Sequence, residues 1–336
     1  MLYISYADLK NAQLVEALDA FVEAHPHGNY FQSSEFFRLI ETVQGYRPFV
    51  LLSLSGRGAI EGSLMGVIQS DGQGPKAWFS RRLIVWGGPL VAGQSVQIAC
   101  MLLEAVKRYA RNKAIFIEFR NLFDCTSLHE AFLSCGFHFR PHLNYIVKTD
   151  DVEAARSRLS SNRRRQIKTS LAAGATVAEA ESEAEVMALY EILKKLYREK
   201  VKKPLPGPDL FVNLWKSPSA KVFVVKHNGK VVGGSIGPVY RNKVLYQWYV
   251  CGENGAIPGV HPSVLASWAP IEYGARHGFE HFDFMGAGRP NEDYGVREFK
   301  ARFGGQQVCY GRYELVLNRS LYEVGKLGLK IYQYLR

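Results

Sequence analysis

One succession of elements can be traced twice along this chain, and that repetition restricts the fold more than any other feature. In the first half, Pro48–Ser53 and Gly62–Gln69 are strands joined by a glycine-rich SGRG turn, the pattern of a hairpin. A strand Leu83–Trp86 ends in Gly87-Gly88-Pro89, and a helix Ser95–Arg111, a strand Ile115–Phe119, a short helix Leu128–Ser134 and a strand Asn144–Val147 follow. The second half keeps that order: a hairpin Val222–Val225 and Val231–Val239, a strand Val244–Val250, a helix Ser263–His277, a strand Glu280–Met285, a short helix Glu298–Phe303 and a strand Arg312–Leu317. Element order repeated at a spacing of roughly 165 residues predicts two copies of one α/β domain.

The copies divide the chain into a first domain at 1–150, a basic connecting helix at 151–173, a second domain at 174–318 and a C-terminal amphipathic helix at 319–336. Two helices, Leu9–Ala24 and Phe36–Val43, precede the first hairpin, the latter capped from Ser33-Ser34-Glu35. Five scattered cysteines without a CxxC pair give neither a disulfide framework nor a zinc site. No apolar run approaches the roughly 18–20 residues of a membrane span, and MLYISYADLKNAQ lacks the features of a leader, so a cytoplasmic protein is expected. The net charge of +11 is uneven: residues 1–150 hold 14 Lys/Arg against 13 Asp/Glu (+1), and residues 151–336 hold 28 against 18 (+10). That field favours phosphorylated or otherwise anionic partners.

The least regular stretch is Phe282–Gly305, FDFMGAGRPNEDYGVREFKARFGG. A short strand runs into Gly286 and Gly288, then into a segment holding Arg289, Glu292, Asp293, Arg297, Glu298, Lys300 and Arg302. It reads either as a ligand loop on a rigid strand end or as a turn followed by a solvated charged helix. The junction SSNRRRQIKTSLAAG, capped at Ser160 or Ser161 and stopped at Gly174, reads either as a solvated helix or as a phosphate-contacting face. The loop Lys202–Pro208, with three prolines, is stiff and either shapes the mouth of a site or connects. The tail SLYEVGKLGLKIYQYLR is basic and amphipathic, suited to packing on a domain or to peripheral contact with the inner membrane surface.

Five segments in order, NYFQSSEFFRLI, SNRRRQIKTSLAAGATV, KPLPGPDLFVNLW, HPSVLASWAPIEYGARHGFEHFDFMG and YGVREFKARFGGQQVCYGRYELVLN, resemble the Fem-type (FemAB/FemX-like) peptidoglycan aminoacyltransferases, in the compact form without a coiled-coil arm. The resemblance implies two tandem GNAT-like domains and a transferase with no tightly bound cofactor. It would move an amino acid from aminoacyl-tRNA to an amine of a nucleotide- or lipid-linked cell-wall precursor. It places Lys300, after Phe299 and Glu298, at the catalytic centre, and Arg38 with Arg163, Arg164 or Arg165 on the acceptor's phosphates. Gly286, Arg289 and Tyr249 are further substrate-binding candidates, and Tyr246, Trp248 and Tyr249 line the cleft or belong to the core. Amine attack on an ester passes through an oxyanion that an ammonium stabilises, and Asp283, Glu292, Asp293 and Glu298 are the candidate bases for the amine.

An acyl-coenzyme A N-acyltransferase acting on an amino sugar or polysaccharide, with acetyl-CoA as donor, is the rival reading. The turn Glu253–Pro262, with Gly255 and Gly259, departs from the R/Q-x-x-G-x-G/A pattern of such enzymes. A binding module that kept the fold and lost the chemistry is the non-enzymatic alternative.

Overall fold

The computed structural model describes residues 2–5, 11–72 and 74–334. Leu9 and Lys10 of the expected first helix and residues 335–336 of the expected last one lie outside these. The chain forms two compact units, residues 1–141 with 310–335 and residues 142–309.

Seven strands of the first unit come in chain order: β1 (Leu2–Ser5), β2 (Tyr46–Leu54), β3 (Ile60–Gln69), β4 (Arg82–Trp86), β5 (Leu90–Val91), β6 (Phe116–Arg120) and β7 (His138–Arg140). The next eight belong to the second unit: β8 (Asn144–Lys148), β9 (Ala175–Glu179), β10 (Ala220–His227), β11 (Lys230–Tyr240), β12 (Val244–Tyr246), β13 (Tyr249–Gly252), β14 (His281–Asp283) and β15 (Gln306–Val308). The last, β16 (Arg312–Val316), returns to the first sheet.

The sheet orders are β1-β2-β3-β4-β6-β16-β7, with β5 on β3, and β15-β8-β14-β12-β11-β10-β9, with β13 on β11. Each holds one parallel pair amid antiparallel neighbours, β4 with β6 and β12 with β14. Both pairs are joined through a 15-residue helix, Val96–Ala110 or Pro262–Arg276, as a parallel crossover requires. Val264, Leu265, Trp268 and Ile271 of the latter are buried, and Pro262 at its first position costs no hydrogen bond. The predicted hairpins are present, since β2–β3 and β10–β11 are antiparallel.

The expected boundaries differ from these in several places. The single strand expected at Val244–Val250 is two, β12 and β13, interrupted at Gln247-Trp248 and paired with separate stretches of β11. The strand predicted to finish the first domain, β8, pairs with β14 and β15 of the second sheet, and the strand predicted to finish the second domain, β16, pairs with β6 and β7 of the first. Short apolar strands carry no local mark of their partners, because pairing is set by non-local contacts. The connecting segment is likewise part of the second unit, as two helices, Val152–Arg158 and Ser161–Ala172, broken at Leu159 and restarted by the Ser160 side chain, which accepts from Arg163 N–H.

In the first unit, the place where β4 and β6 part is filled by side chains from Asn29-Tyr30-Phe31-Gln32. Asn29 Nδ2 donates to Gly87 O at 2.7 Å, and Gln32 Nε2 donates to Trp86 O at 2.8 Å and to Met65 O at 3.0 Å. Gln32 Oε1 accepts from Met65 N–H at 2.8 Å. The fit is close enough that a Cβ on Gly87 would lie 2.6 Å from the Asn29 amide. Unpaired buried backbone groups cost about 1–3 kcal/mol each. Gln32→Leu is therefore expected to lower stability by about 2–4 kcal/mol, seen as a reduced urea midpoint; an unchanged midpoint would contradict the plug.

Candidate functional site

The second unit has a different arrangement beside its own parallel pair. β14 ends at Asp283, after which the chain turns left-handed, with φ +57° at Met285 and +126° at Gly286. Gly286 tolerates that conformation and Met285 does so at a cost, of the kind held in place at functional sites by surrounding bonds. Those bonds are present. Asp283 Oδ1 accepts from Met285 N–H at 2.5 Å and from Asn144 Nδ2 at 2.7 Å, and Asn144 Oδ1 accepts from Gly286 N–H at 2.7 Å. Asn144 therefore bridges β8 to the turn and uses both ends of its amide. Beyond the turn, Ala287 N–H and Gly288 O bond to Leu143, and the Arg297 guanidinium donates to the carbonyls of Ala287, Arg289 and Pro290.

The turn aims two carbonyls at one cation. Lys300 Nζ donates to Phe284 O at 2.7 Å and to Gly286 O at 2.6 Å. Lys300 is on the helix Gly295–Ala301, and part of its surface remains exposed while its ammonium is surrounded by protein. An ammonium has three N–H donors, and the third has no acceptor among the described residues. Burial lowers the Lys300 pKa to about 8, with Asp283 opposing the shift. Asp283 is itself buried, which raises its pKa against the bonds from Asn144 and Met285 and the charges of His281 and Lys300; burial lowers the His281 pKa. His142 lies beside Gly286, with Nε2 3.0 Å from where a Cβ would stand.

The corresponding acid of the first unit, Glu118, is treated differently. Arg120 bonds it at 2.6 Å and Arg312 at 3.2 Å. Against the effect of burial, these two arginines lower its pKa to about 2. That carboxylate is saturated, and the first unit has no counterpart of the Lys300 ammonium among these contacts.

The structure separates the predicted site residues. Lys300 and Gly286 are brought together. Glu298, two residues before Lys300, faces away from it around the helix, is 71% exposed in its side chain and pairs with Arg302 at 3.7 Å, so it is not part of the Lys300 cluster. Phe299 packs with Phe303 and against the second core, a structural position. Arg163 is buried instead of facing phosphate: its guanidinium lies 4.3 Å from the Phe299 ring centroid, bonds Gln166 at 2.6 Å and reaches Phe299 O at 3.3 Å. Burial, with Arg302 nearby, lowers its pKa to about 10. Arg164 is exposed but donates to the carbonyls of Ser157 and Leu159, closing the preceding helix, while exposed Arg165 reaches Asn162.

Arg38 is exposed on the helix Ser34–Glu41 of the first unit. Arg289 is exposed and pairs with Glu292 at 3.3 Å; Asp293 is also exposed. Tyr249 is half-buried against Phe211, and Tyr246 is fully packed, so the strand aromatics are largely core. Nothing in the sequence marks Asn144 or Arg297 for the roles they play, beyond the signal, for Asn144, of an amide inside a run of strand-forming residues, where such residues are depleted.

The start of the helix Pro262–Arg276 bears on an acyl-coenzyme A donor. Pro262 has no N–H, Ser263 N–H is taken by Asn254 Oδ1 at 3.3 Å, and the N–H groups of Val264 and Leu265 go to His261 O. These helix-start donors are thus engaged within the protein.

Residues 156–300 match the family model described as an acetyltransferase (GNAT) domain. The chain shares its fold with FemX at a TM-score of 0.70 and 15% identity, covering 92% of this chain and 98% of that one. It shares it also with the C-terminal domain of a putative lysylphosphatidylglycerol synthetase from Agrobacterium fabrum (TM-score 0.59, 15% identity, 96% and 97% covered). A tandem GNAT protein from the clavulanic acid biosynthesis pathway is a further match (0.57, 11%, 94% and 98%). No curated protein matches in sequence. The fold is two tandem GNAT-like domains, and the protein is an acyltransferase.

The two faces of the junction helix make a direct test. Arg163→Ala loses the ring contacts and a buried hydrogen bond and is expected to destabilise by about 2–3 kcal/mol. Arg165→Ala should stay within about 0.5 kcal/mol of the parent. Urea denaturation of the pair measures both, and equal effects would overturn the assignment.

Proposed function

We propose that this acyltransferase is of Fem type and moves an aminoacyl group from aminoacyl-tRNA to an amine on a nucleotide- or lipid-linked cell-wall precursor, without a tightly bound cofactor. The observation that carries this reading is the Lys300 ammonium, held by two carbonyls at the end of β14 with one N–H unspent. It occupies the position at which the Fem-type resemblance puts the catalytic lysine. Agreement in fold with FemX over 92% of the chain supports the same reading. The engaged donors at the start of the helix Pro262–Arg276 favour aminoacyl-tRNA over acyl-coenzyme A as donor.

In the reaction the acceptor amine attacks the ester carbonyl carbon. A C–N bond forms, the carbonyl oxygen gains negative charge, and the C–O bond to the tRNA ribose then breaks. A fixed ammonium placed before the reaction stabilises the oxyanion without reorganising, and a low-dielectric setting strengthens the effect. The lysine's lowered pKa also suits it to return a proton to the leaving oxygen. Asn144, Asp283 and Arg297 are positioning residues in this scheme, since they fix the turn that fixes Lys300. Lys300, neutral once it has protonated the leaving oxygen, takes up the proton that the attacking amine loses and returns to the ammonium; Glu292, Asp293 and Glu298 are exposed, and Asp283 is engaged in holding the turn.

The agreement in fold with a putative lysylphosphatidylglycerol synthetase domain makes a lipid acceptor the second reading. Supplying purified protein with charged tRNA, and separately with acetyl-CoA, against a nucleotide-linked peptide precursor and against phosphatidylglycerol discriminates among these. Transfer from tRNA to the peptide is expected, and transfer from acetyl-CoA alone overturns the reading.

Lys300→Met should reduce kcat by roughly 10²–10³, the scale of losing one oxyanion donor; unchanged turnover removes Lys300 from the mechanism. The pH dependence has a definite sign. The required form is the ammonium, which predominates below the pKa, so kcat/KM should fall as pH rises through about 8. The parent's basic limb disappears from the residual activity of Lys300→Met.

A further inference from the structure

The first unit carries a surface that the proposed reaction does not use. A groove is lined in part by Trp78, Arg81, Arg108, Arg111, Leu317 and Leu321. Arg81 lies 5.0 Å from the Trp78 ring centroid and donates to the carbonyls of Trp78 and Asn112. Arg108 and Arg111 are exposed, and none of the three arginines makes an ion pair among the described residues. The nearest lining carboxylate, Glu104, is already paired with Lys107 at 2.7 Å. Arg108 also feels the Glu104 charge, but three guanidinium groups and Lys107 against one carboxylate leave an anion-attracting patch.

Beside these charges lies exposed apolar surface. The short helix Gly74–Phe79 meets the C-terminal helix Arg319–Tyr334, where a Cβ on Gly325 would stand 3.3 Å from Phe79 O. Tyr322 turns inward, its hydroxyl donating to Glu314 at 2.8 Å and its ring edge on Phe116. Other side chains of the same two helices stay in water: Trp78 is 45% exposed, Phe79 38%, Val324 51% and Leu327 60%. Lys326, between the last two, is balanced by Glu323 at 3.3 Å.

We propose that these two helices and the arginine groove form a docking surface for an anionic lipid bilayer. The combination selects that occupant. A soluble phosphate would satisfy the guanidinium groups and leave four large apolar side chains wet, and a nucleic acid gains nothing from aliphatic Val324 and Leu327. A bilayer interface takes both, with lipid phosphates on the arginines, acyl-chain boundary on the aliphatic groups and the amphipathic Trp78 at headgroup depth. Among the described residues no helix is long and apolar enough to cross a membrane, so the attachment is peripheral and reversible. The surface belongs to one unit and its existence does not depend on the reaction at Lys300.

Flotation of the full chain with vesicles tests it. The parent should float with vesicles of equal parts phosphatidylcholine and phosphatidylglycerol, float poorly with phosphatidylcholine alone, and be released in part by high salt. Arg108→Ser with Arg111→Ser should weaken partition roughly thirty-fold, at about 1 kcal/mol for each basic residue near an anionic surface. Val324→Asn with Leu327→Asn should weaken binding in a manner that salt does not mimic. All four positions are exposed, and thermal melts are expected to match the parent. The proposal is overturned by absence of flotation on the anionic vesicles, by flotation undiminished in both variants, or by capture on bulk tRNA with none on vesicles.

Discussion

A lysine ammonium drawn out of water and held against two main-chain carbonyls is the constraint on which the second unit depends. For the carbonyls of Phe284 and Gly286 to converge on Lys300, the chain must turn left-handed at Met285, and a non-glycine residue keeps that conformation only under restraint. Asp283 and Asn144 supply the restraint from two neighbouring strands, and Arg297 ties down the loop beyond. The placement of β8 next to β14 is therefore a requirement of the site, because Asn144 is its first residue. The other copy of the fold has gone the opposite way. Its acid is clamped by two arginines and the end of its parallel pair is closed by Asn29 and Gln32. One copy is sealed, and the other keeps a cation with a donor to spare.

Much of this architecture was legible in the residues. Both hairpins, both parallel strands with their crossover helices and the tandem organisation follow from apolar period and turn chemistry, which are local properties. The allocation of β8 and β16 was not legible, since nothing in NYIVK or RYELV names a partner strand. The arginine run shows a second limit. Three adjacent guanidinium groups look alike in sequence, but steps of one residue around a helix send Arg163 under Phe299, Arg164 to the end of the previous helix and Arg165 to solvent. Lys300 stands out through the family resemblance, and Gly286 through its place in a glycine pair after a short strand. Asn144 and Arg297 went unnoticed because their work is to bond main chain, which leaves no motif.

Charge bookkeeping by halves was also a coarse guide. The excess of +10 in residues 151–336 pointed to the second half as the anion-binding part, and some of that charge is spent internally, on Phe299 by Arg163 and on the loop carbonyls by Arg297. Arg81, Arg108 and Arg111 belong to the near-neutral first half, where most of the acids that cancel them in the sum lie elsewhere and Glu104 alone lines their groove. Local field depends on which carboxylates lie within a Debye length of a cation, roughly 10 Å in ordinary buffers.

The path of the chain through the two sheets has a bearing on how the protein is made. The second unit is one continuous run, residues 142–309, and holds every strand of its sheet as soon as that run is synthesised. The first unit is begun before it and cannot be finished until after it, because β16 is inserted between β6 and β7, and among the described residues β7 pairs with β16 alone. Synthesis therefore proceeds first, second, then first again. β6 and β7 wait for a strand made only after the whole of the second unit, and the unit that holds Lys300 is complete before its older neighbour.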